Sequence, residues 1–266
     1  MKLNRRFKTC ALTLASTLIV SSACRFFLLV PETRGLLSMG EPLFFASAIL
    51  LGQYSGAFVG GVGFALADLL LGYPHYILAA LTVKATSGFV VGKFCRVKSA
   101  PNKLFSFTSN FMLVALLGFS SIRIYSGVAY FGYAKILFLG ERIMDYGGLD
   151  VWRVYIPTWF WAVITIILFF YFLLLAFKGK SSFGWVSFSF LAGALITALG
   201  YAGYEVFVMP HIFNVEVDAV TNIPINIGQS ILSAAIALFI VEMVHFGTFY
   251  ITRKVSGCQN PGKKCN

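Results

Sequence analysis

Two ionisable residues stand inside apolar runs, where a charge is costly and tends to face a cavity or a partner. Asp68 lies in Phe64-Ala65-Leu66-Ala67-Asp68-Leu69-Leu70-Leu71, and Lys84 in Leu81-Thr82-Val83-Lys84-Ala85-Thr86. Between them Gly72-Tyr73-Pro74-His75 reads as a turn, which would bring the two near each other. Three roles are open to them: a structural acid–base pair within a helix bundle, direct contact with a substrate, or snorkelling of the lysine toward an interface. A second set lies further along. Tyr201, Tyr204 and Glu205 close one apolar run, and Asn222, Pro224, Asn226 and Gln229 open the next. Proline suits the first turn of a helix. Amides and tyrosines are hydrogen-bonding groups at the mouth of an otherwise apolar bundle, as a site for a small, planar, polar molecule requires. The same groups would serve equally as helix caps and interhelical hydrogen bonds.

Other chemistries are missing from the sequence. His75, His211 and His245 are scattered and show no metal-ligand spacing, so no metal site is expected. The cysteines, Cys10, Cys24, Cys95, Cys258 and Cys265, are odd in number and imply no disulfide framework. Cys258 and Cys265 have no histidine beside them, a poor zinc pattern. There is no H-E-x-x-H, G-x-S-x-G or Walker A sequence, and no cofactor is implied. A transporter built from this chain needs an energy source other than its own ATP hydrolysis.

The elements that must carry these residues follow from composition. The chain has 266 residues, of which 58% are hydrophobic and 12% charged, with a mean hydropathy of +0.82. A soluble domain carries about 25% charged residues, and about half of any folded surface must face water. A soluble enzyme, a nucleic-acid-binding module and a disordered chain are thereby excluded. The class is all-α, a polytopic helical membrane protein in which lipid is the main surrounding partner. At about 20 residues per span there is room for about eight passes and no large extramembrane domain. Hydropathy places spans at 9–30, 43–59, 61–72, 76–96, 105–125, 155–177, 183–208 and 224–250, with 61–72 too short to cross as a straight helix.

The net charge of +11 is unevenly distributed. Lys2, Arg5, Arg6 and Lys8 precede the first span; Lys93, Arg96, Lys98 and Lys103 follow the fourth. Lys178, Lys180, Arg253, Lys254, Lys263 and Lys264 complete the basic loops and tail. Glu32 and Glu41, then Glu141, Asp145 and Asp150, then Glu205, Glu216 and Asp218 fall in the alternate segments. This alternation obeys the positive-inside rule with both termini in the cytoplasm and the chain in the cell membrane. Ser22-Ala23-Cys24 resembles a lipoprotein cleavage site, but the apolar run continues through Phe26-Phe27-Leu28-Leu29-Val30, so the first helix is expected to be retained. Gly52, Gly56 and Gly60 share one helix face, for close packing or as a hinge, and Gly60-Gly61 reads as the turn between spans two and three.

The stretch from Gly60 to Pro74, followed by Val83-Lys84 and Ser87-Gly88, resembles the substrate-binding (S) components of energy-coupling factor transporters, on the riboflavin and hydroxymethylpyrimidine side of that family. Leu199-Gly200-Tyr201, Tyr204-Glu205 and Ile223-Pro224-Ile225-Asn226-Ile227-Gly228-Gln229 look like that branch's last two helices. Ala11 and Ala15 match the family's alanine-x-x-x-alanine motif, which docks on a transmembrane coupling protein. The resemblance covers 9–98 and 183–250 of a single transmembrane domain. It implies a six-helix S-component-like bundle, with about two helices inserted at 100–180, bearing Glu141, Arg142, Asp145 and Asp150, and a cytoplasmic tail at 251–266. It further implies a vitamin or vitamin precursor as ligand, a coupling protein and two cytoplasmic ATPases as partners, and no enzymatic activity. On this basis Tyr204, Glu205, Asn226 and Gln229 are expected nearest the ligand, and Asp68 and Lys84 in structural or supporting roles. The alternative is an intramembrane enzyme on a lipid or isoprenoid substrate, with Asp68, Lys84 and Glu205 as acid–base groups.

Overall fold

A computed structural model describes residues 2–97, 99, 101–133, 152–177, 183–215 and 217–258. In chain order the elements are α1 (Lys2–Ala23), β1 (Phe26–Val30), β2 (Gly35–Ser38), α2 (Gly40–Leu51) and α3 (Gln53–Leu70). A helical rod from Pro74 to Phe94 follows, formed by a 3-10 turn (Pro74–Tyr76), α4 (Ile77–Ala79), a π turn (Ala80–Lys84) and α5 (Ala85–Phe94). Then come α6 (Lys103–Ile124), β3 (Gly127–Tyr133), β4 (Trp152–Ile156), α7 (Thr158–Phe177), α8 (Phe183–Phe207), α9 (Met209–Ile212) and α10 (Ala219–Cys258).

The polytopic helical membrane class holds. Among the described residues, Pro74–Phe94, Lys103–Ile124, Gly184–Ile212 and Ala219–Val244 are long and apolar enough to cross a membrane, and Gly40–Leu51 and Thr158–Tyr171 are shorter apolar helices. Large side chains such as Leu18, Phe111, Phe119, Ile167, Leu199 and Phe239 point outward. In water such a surface would be an aggregation hazard; in lipid it is the solvated face. Inside, small residues let backbones meet. A Cβ on Gly56 would lie 2.7 Å from the carbonyl oxygen of Gly88, so α3 and α5 are in backbone contact there. Neighbouring helices are tied by polar pairs, including Thr13 Oγ1 to Ser55 Oγ at 2.8 Å and Ser187 Oγ to Asn110 Oδ1 at 2.6 Å.

Two expectations about element boundaries are corrected. The first span does not continue to residue 30: α1 ends at Ala23, and Phe26–Val30 is a strand. An unbroken apolar run suits a buried strand as well as a helix. Here β1 pairs antiparallel with both β2 and β3, which gives its backbone a second set of partners. The sheet has the order β2-β1-β3-β4. The second correction concerns the turn near the glycines. Gly60 and Gly61 lie within α3, and the chain reverses at Gly52, whose φ of +97° favours glycine. Phe44 packs edge-on against Phe64, and a Cβ on Gly60 would lie 2.5 Å from the Phe44 ring, so α2 and α3 form an antiparallel hairpin about Gly52. The Arg96 guanidinium closes that turn by donating to the Leu50 carbonyl at 3.0 Å.

These contacts define two ends of the bundle. One end holds the sheet, the 71–76 turn and α9. The sheet is tied down by Tyr125, whose hydroxyl donates to Leu36 O, and by Trp161 Nε1, which donates to Tyr125 O. The other end holds the basic first turns of α1, the Gly52 turn and the loop around Arg96 and Ser99. Trp185 Nε1 donates to Ser99 O there. Glu141, Arg142, Asp145 and Asp150 lie outside the described residues, as does Cys265.

Candidate functional site

Polar side chains gather in two layers below the sheet. The upper layer is built where the 74–94 rod, α8 and α10 meet. Glu205, on the last turns of α8, is 5% exposed. Its two oxygens accept from Tyr76 Oη at 3.0 Å and from Asn222 Nδ2 at 3.1 Å. Tyr204 turns the other way and donates to the His75 carbonyl at 2.5 Å. The Tyr76 ring lies 6.1 Å from that of Tyr201 and 6.3 Å from that of Tyr204. A buried carboxylate held by two neutral donors is stable and fixed in orientation.

The lower layer is centred on an ion pair. Lys84 Nζ lies 2.7 Å from Glu41 Oε1, with both side chains buried. Ser230 Oγ, on α10, donates to the same oxygen at 2.9 Å. Lys84 Nζ also stands 4.7 Å from the centre of the Phe64 ring and 5.8 Å from that of Tyr201, within cation–π range. The π turn Ala80–Lys84 ends on the lysine itself. Such turns are rare and are frequent at functional sites. Asp68 is within electrostatic reach of Lys84 without forming an ion pair with it. The buried oxygens Asp68 Oδ2 and Glu41 Oε2 have no hydrogen-bond partner among the described residues.

The layers connect through rings and along α10. Tyr201 touches Tyr76 above and Lys84 below. On α10, helical periodicity sets Asn222, Asn226, Gln229 and Ser230 on one face. Asn222 joins the upper layer and Ser230 the lower. Asn226 therefore stands one turn from each. Neither Asn226 nor Gln229 hydrogen-bonds to a described residue; both are half-buried.

Of the residues singled out from the sequence, Tyr204 and Glu205 fall in the upper layer, and Asn226 and Gln229 share the α10 face that joins the layers. Lys84 and Asp68 fall in the lower layer, but the lysine pairs with Glu41, not with Asp68. Charge alternation groups Glu41 with the acids of the outer segments, whereas it is the second residue of α2 and 1% exposed. The available signal was Glu-Pro followed by an apolar run, an acid in the first turn of a helix. Tyr76 opens the apolar run 76–96 and carries no signal that separates it from the span. Ser230 is one of many serines in apolar helices and carries no distinguishing signal.

Ala11 and Ala15 lie on the exposed side of α1, while Thr13, Thr17, Val20 and Ser21 face the bundle. Beside them a groove of about 610 Å³ runs between α1 and α3, lined by Arg6, Thr9, Cys10, Thr13, Leu14, Tyr54, Ser55 and Phe58. It lies toward the basic end, away from both polar layers. Just after α1 and just before α10, outside the spans, lie two more groups. Cys24 is packed against Gly40, and burial pushes its thiol up to about 12. Asp218 is held below the usual carboxylate range by hydrogen bonds from Thr221. No group of His, Cys, Asp and Glu among the described residues is placed to hold a metal ion.

Comparison with known proteins supplies a family. A protein of Pyrococcus woesei, described as "Uncharacterized protein in gap 3'region", is 36% identical over 93 residues, 35% of this chain and 62% of that protein. The chain thus spans less than two thirds of that relative's length. No solved structure matches the chain. A sequence model described as "ECF-type riboflavin transporter, S component" matches residues 5–145, just over half of the chain, from within α1 to beyond β3. The matched part includes Glu41, Asp68, Lys84 and the hairpin at Gly52. The chain belongs to the ECF-type riboflavin transporter S component family, a family of membrane-embedded substrate-binding subunits and not of enzymes.

Proposed function

We propose that this chain is the high-affinity substrate-binding subunit of an energy-coupling factor uptake transporter, with a vitamin or vitamin precursor as its ligand. The single observation that carries this reading beyond family membership is the continuous polar and aromatic ladder under the sheet. It runs from Glu205 through Tyr76 and Tyr201 to Lys84 and Glu41, and holds the buried charged side chains Glu205, Lys84 and Glu41. The ligand enters from the sheet end, which faces outward. Tyr204, Glu205, Asn226 and Gln229 line the site, with Tyr76 and Asn222 beside them. Asp68 and Lys84 shape its floor. The basic end faces the cytoplasm, so both termini lie there and the chain sits in the cell membrane. A transmembrane coupling protein docks on α1 through Ala11 and Ala15, and two cytoplasmic ATPases supply the energy. The 9–98 and 183–250 segments form the family's bundle, and α6 and α7 are added helices whose strands extend the sheet over the mouth.

The test is to purify the chain in detergent, denature it, and identify released small molecules by mass spectrometry. A vitamin-like compound near a one-to-one ratio supports the reading. An empty protein that gains no thermal stability from riboflavin or a panel of vitamins overturns it. Asn226 has no hydrogen-bond partner among the described residues, so the Asn226→Ala variant should fold normally. It should bind the identified compound about 5- to 150-fold more weakly, the cost of about 1–3 kcal/mol for a buried hydrogen bond. Unchanged affinity in both Asn226→Ala and Gln229→Ala would move the site elsewhere.

A further inference from the structure

At the basic end the surface of the bundle recedes. The groove between α1 and α3 has a volume of about 610 Å³, within the range of small-molecule sites. It exists because Thr9, Thr13 and Ser55 are small, while Leu14, Tyr54 and Phe58 stand up beside them, each well exposed. Its hydroxyls are largely spent within the fold: Thr13 Oγ1 hydrogen-bonds to Thr9 O and to Ser55 Oγ, each at 2.8 Å. What the groove offers a guest is mainly aliphatic and ring surface. Among the lining residues Arg6 is the one charged side chain. It is exposed, and among the described residues no carboxylate pairs with it. Tyr54 is 77% exposed and packs edge-on against Phe89, over which Lys93 Nζ stands at 6.0 Å, so a second cation lies beyond that wall. From Arg6 to Leu14 the groove runs about 12 Å along α1, close to the depth of about 15 Å in one leaflet of the hydrocarbon core.

We infer that this groove seats an acyl chain of an anionic phospholipid from the cytoplasmic leaflet, with the lipid phosphate on the Arg6 guanidinium. Three features select that occupant. The lining is apolar and opens to the bilayer, where a lipid tail is the available filler. The one cation stands at the headgroup end, and a guanidinium binds phosphate through paired N–H donors. The basic end is the end that the positive-inside rule sets in the cytoplasm, where the leaflet carries the anionic lipids. A zwitterionic lipid brings its own cation beside the phosphate and so gains less from Arg6. The groove is also separate from the alanine face of α1. Cys10 lines the groove, and Ala11 points about 100° away from it around the helix, so a lipid here and a protein on Ala11 and Ala15 do not compete. Both polar layers lie elsewhere, so the lipid site does not depend on which ligand they hold.

The test uses the full chain in a mild non-ionic detergent, titrated with phosphatidylglycerol or with phosphatidylcholine of the same chains. Native mass spectrometry counts the bound lipid. The first phosphatidylglycerol is expected to bind about five- to tenfold more tightly than the first phosphatidylcholine, the effect of one cation near the headgroup. In Arg6→Gln that preference should fall below about twofold. Lys8 is equally basic but lies on the other side of α1, so Lys8→Gln should keep the preference. Both side chains are exposed, so neither change threatens the fold. Maleimide modification of Cys10, followed by peptide mapping, reports position: phosphatidylglycerol should slow it about threefold or more in the parent and not in Arg6→Gln. Equal binding of the two lipids by the parent overturns the inference. So does a preference that Arg6→Gln and Lys8→Gln reduce alike, which would mark a diffuse attraction to the basic end. A Cys10 rate that phosphatidylglycerol leaves unchanged overturns it too, because the lipid would then be bound outside the groove.

Discussion

Lys84→Met tests the central ion pair directly. The substitution keeps the length and apolar stem of the side chain but removes the ammonium 2.7 Å from Glu41 Oε1. Breaking a buried pair from one side costs about 3–5 kcal/mol, because the remaining charge stays buried without its partner. The cation–π contact with Phe64 is lost as well, while Ser230 keeps its hydrogen bond to Glu41. For a chain of this size each kcal/mol moves the Tm by about 2–4 °C, so the fall should be about 6–20 °C. The diagnostic comparison is the double variant Glu41→Gln/Lys84→Met, in which both charges are gone. Replacing both members of a buried pair is far cheaper than removing one. The double variant should therefore recover at least half of the loss, with Asp68, still deprived of its neighbouring cation, holding back the rest. Thermal unfolding in detergent, followed by intrinsic tryptophan fluorescence, gives both values and their coupling energy. If Lys84→Met melts within 2 °C of the parent, or the double variant is no more stable than Lys84→Met alone, the pair contributes nothing and the lower layer has been misread.

Further outcomes follow from the packing and from the exposed face of α1. Gly88→Val should push α5 from α3, where a new Cβ meets the Gly56 carbonyl, and lower stability by about 1–3 kcal/mol; Gly203→Ala, with nothing within 4 Å of the new methyl, should leave the Tm unchanged or slightly raised. Ala11→Trp or Ala15→Trp should abolish ligand uptake into cells while leaving ligand binding by the purified chain intact; normal uptake would remove the docking role. Cys24 should resist maleimide in the folded protein, since burial raises its thiol to about 12 and the reactive thiolate is scarce at pH 7–8. Exposed Cys10 should label readily, as peptide mapping by mass spectrometry would show.

How far the sequence could be read depended on how unusual each residue was in its setting. Asp68, Lys84 and Glu205 were visible because a charge in an apolar run has few bland explanations. Their partners were not. Glu41 stands at the edge of an apolar run, where acids are ordinary, and only the hairpin at Gly52 carries it inward. Helix periodicity was enough to place Asn226 and Gln229 on the face of Asn222, but it could not say that Asn222 binds Glu205 from 17 residues away. Strand β1 continues the apolar run of α1, and Phe-Phe-Leu-Leu-Val satisfies either helix or strand when buried. The deciding partner, β3, lies about a hundred residues further on. The turn was misplaced for a related reason. Gly60 and Gly61 are there for close approach to the 74–94 rod, whereas Gly52 supplies the positive φ, and sequence alone does not separate these uses.

The hairpin about Gly52 has unequal arms, 12 residues in α2 against 18 in α3. At 1.5 Å per residue the shorter arm starts about 9 Å below the tip of the longer one. The hairpin therefore works as a ruler. It sets the depth at which Glu41 meets Lys84, and so the height of the floor on which any guest must rest. Lengthening α2 by one turn, about 5.4 Å, would lift the carboxylate out of the lysine's reach and make the chamber shallower. Shortening it would lower the floor and admit a longer molecule. Within this fold, the size of guest a chain accepts can thus be tuned by the length of one arm, without altering any residue that touches the guest.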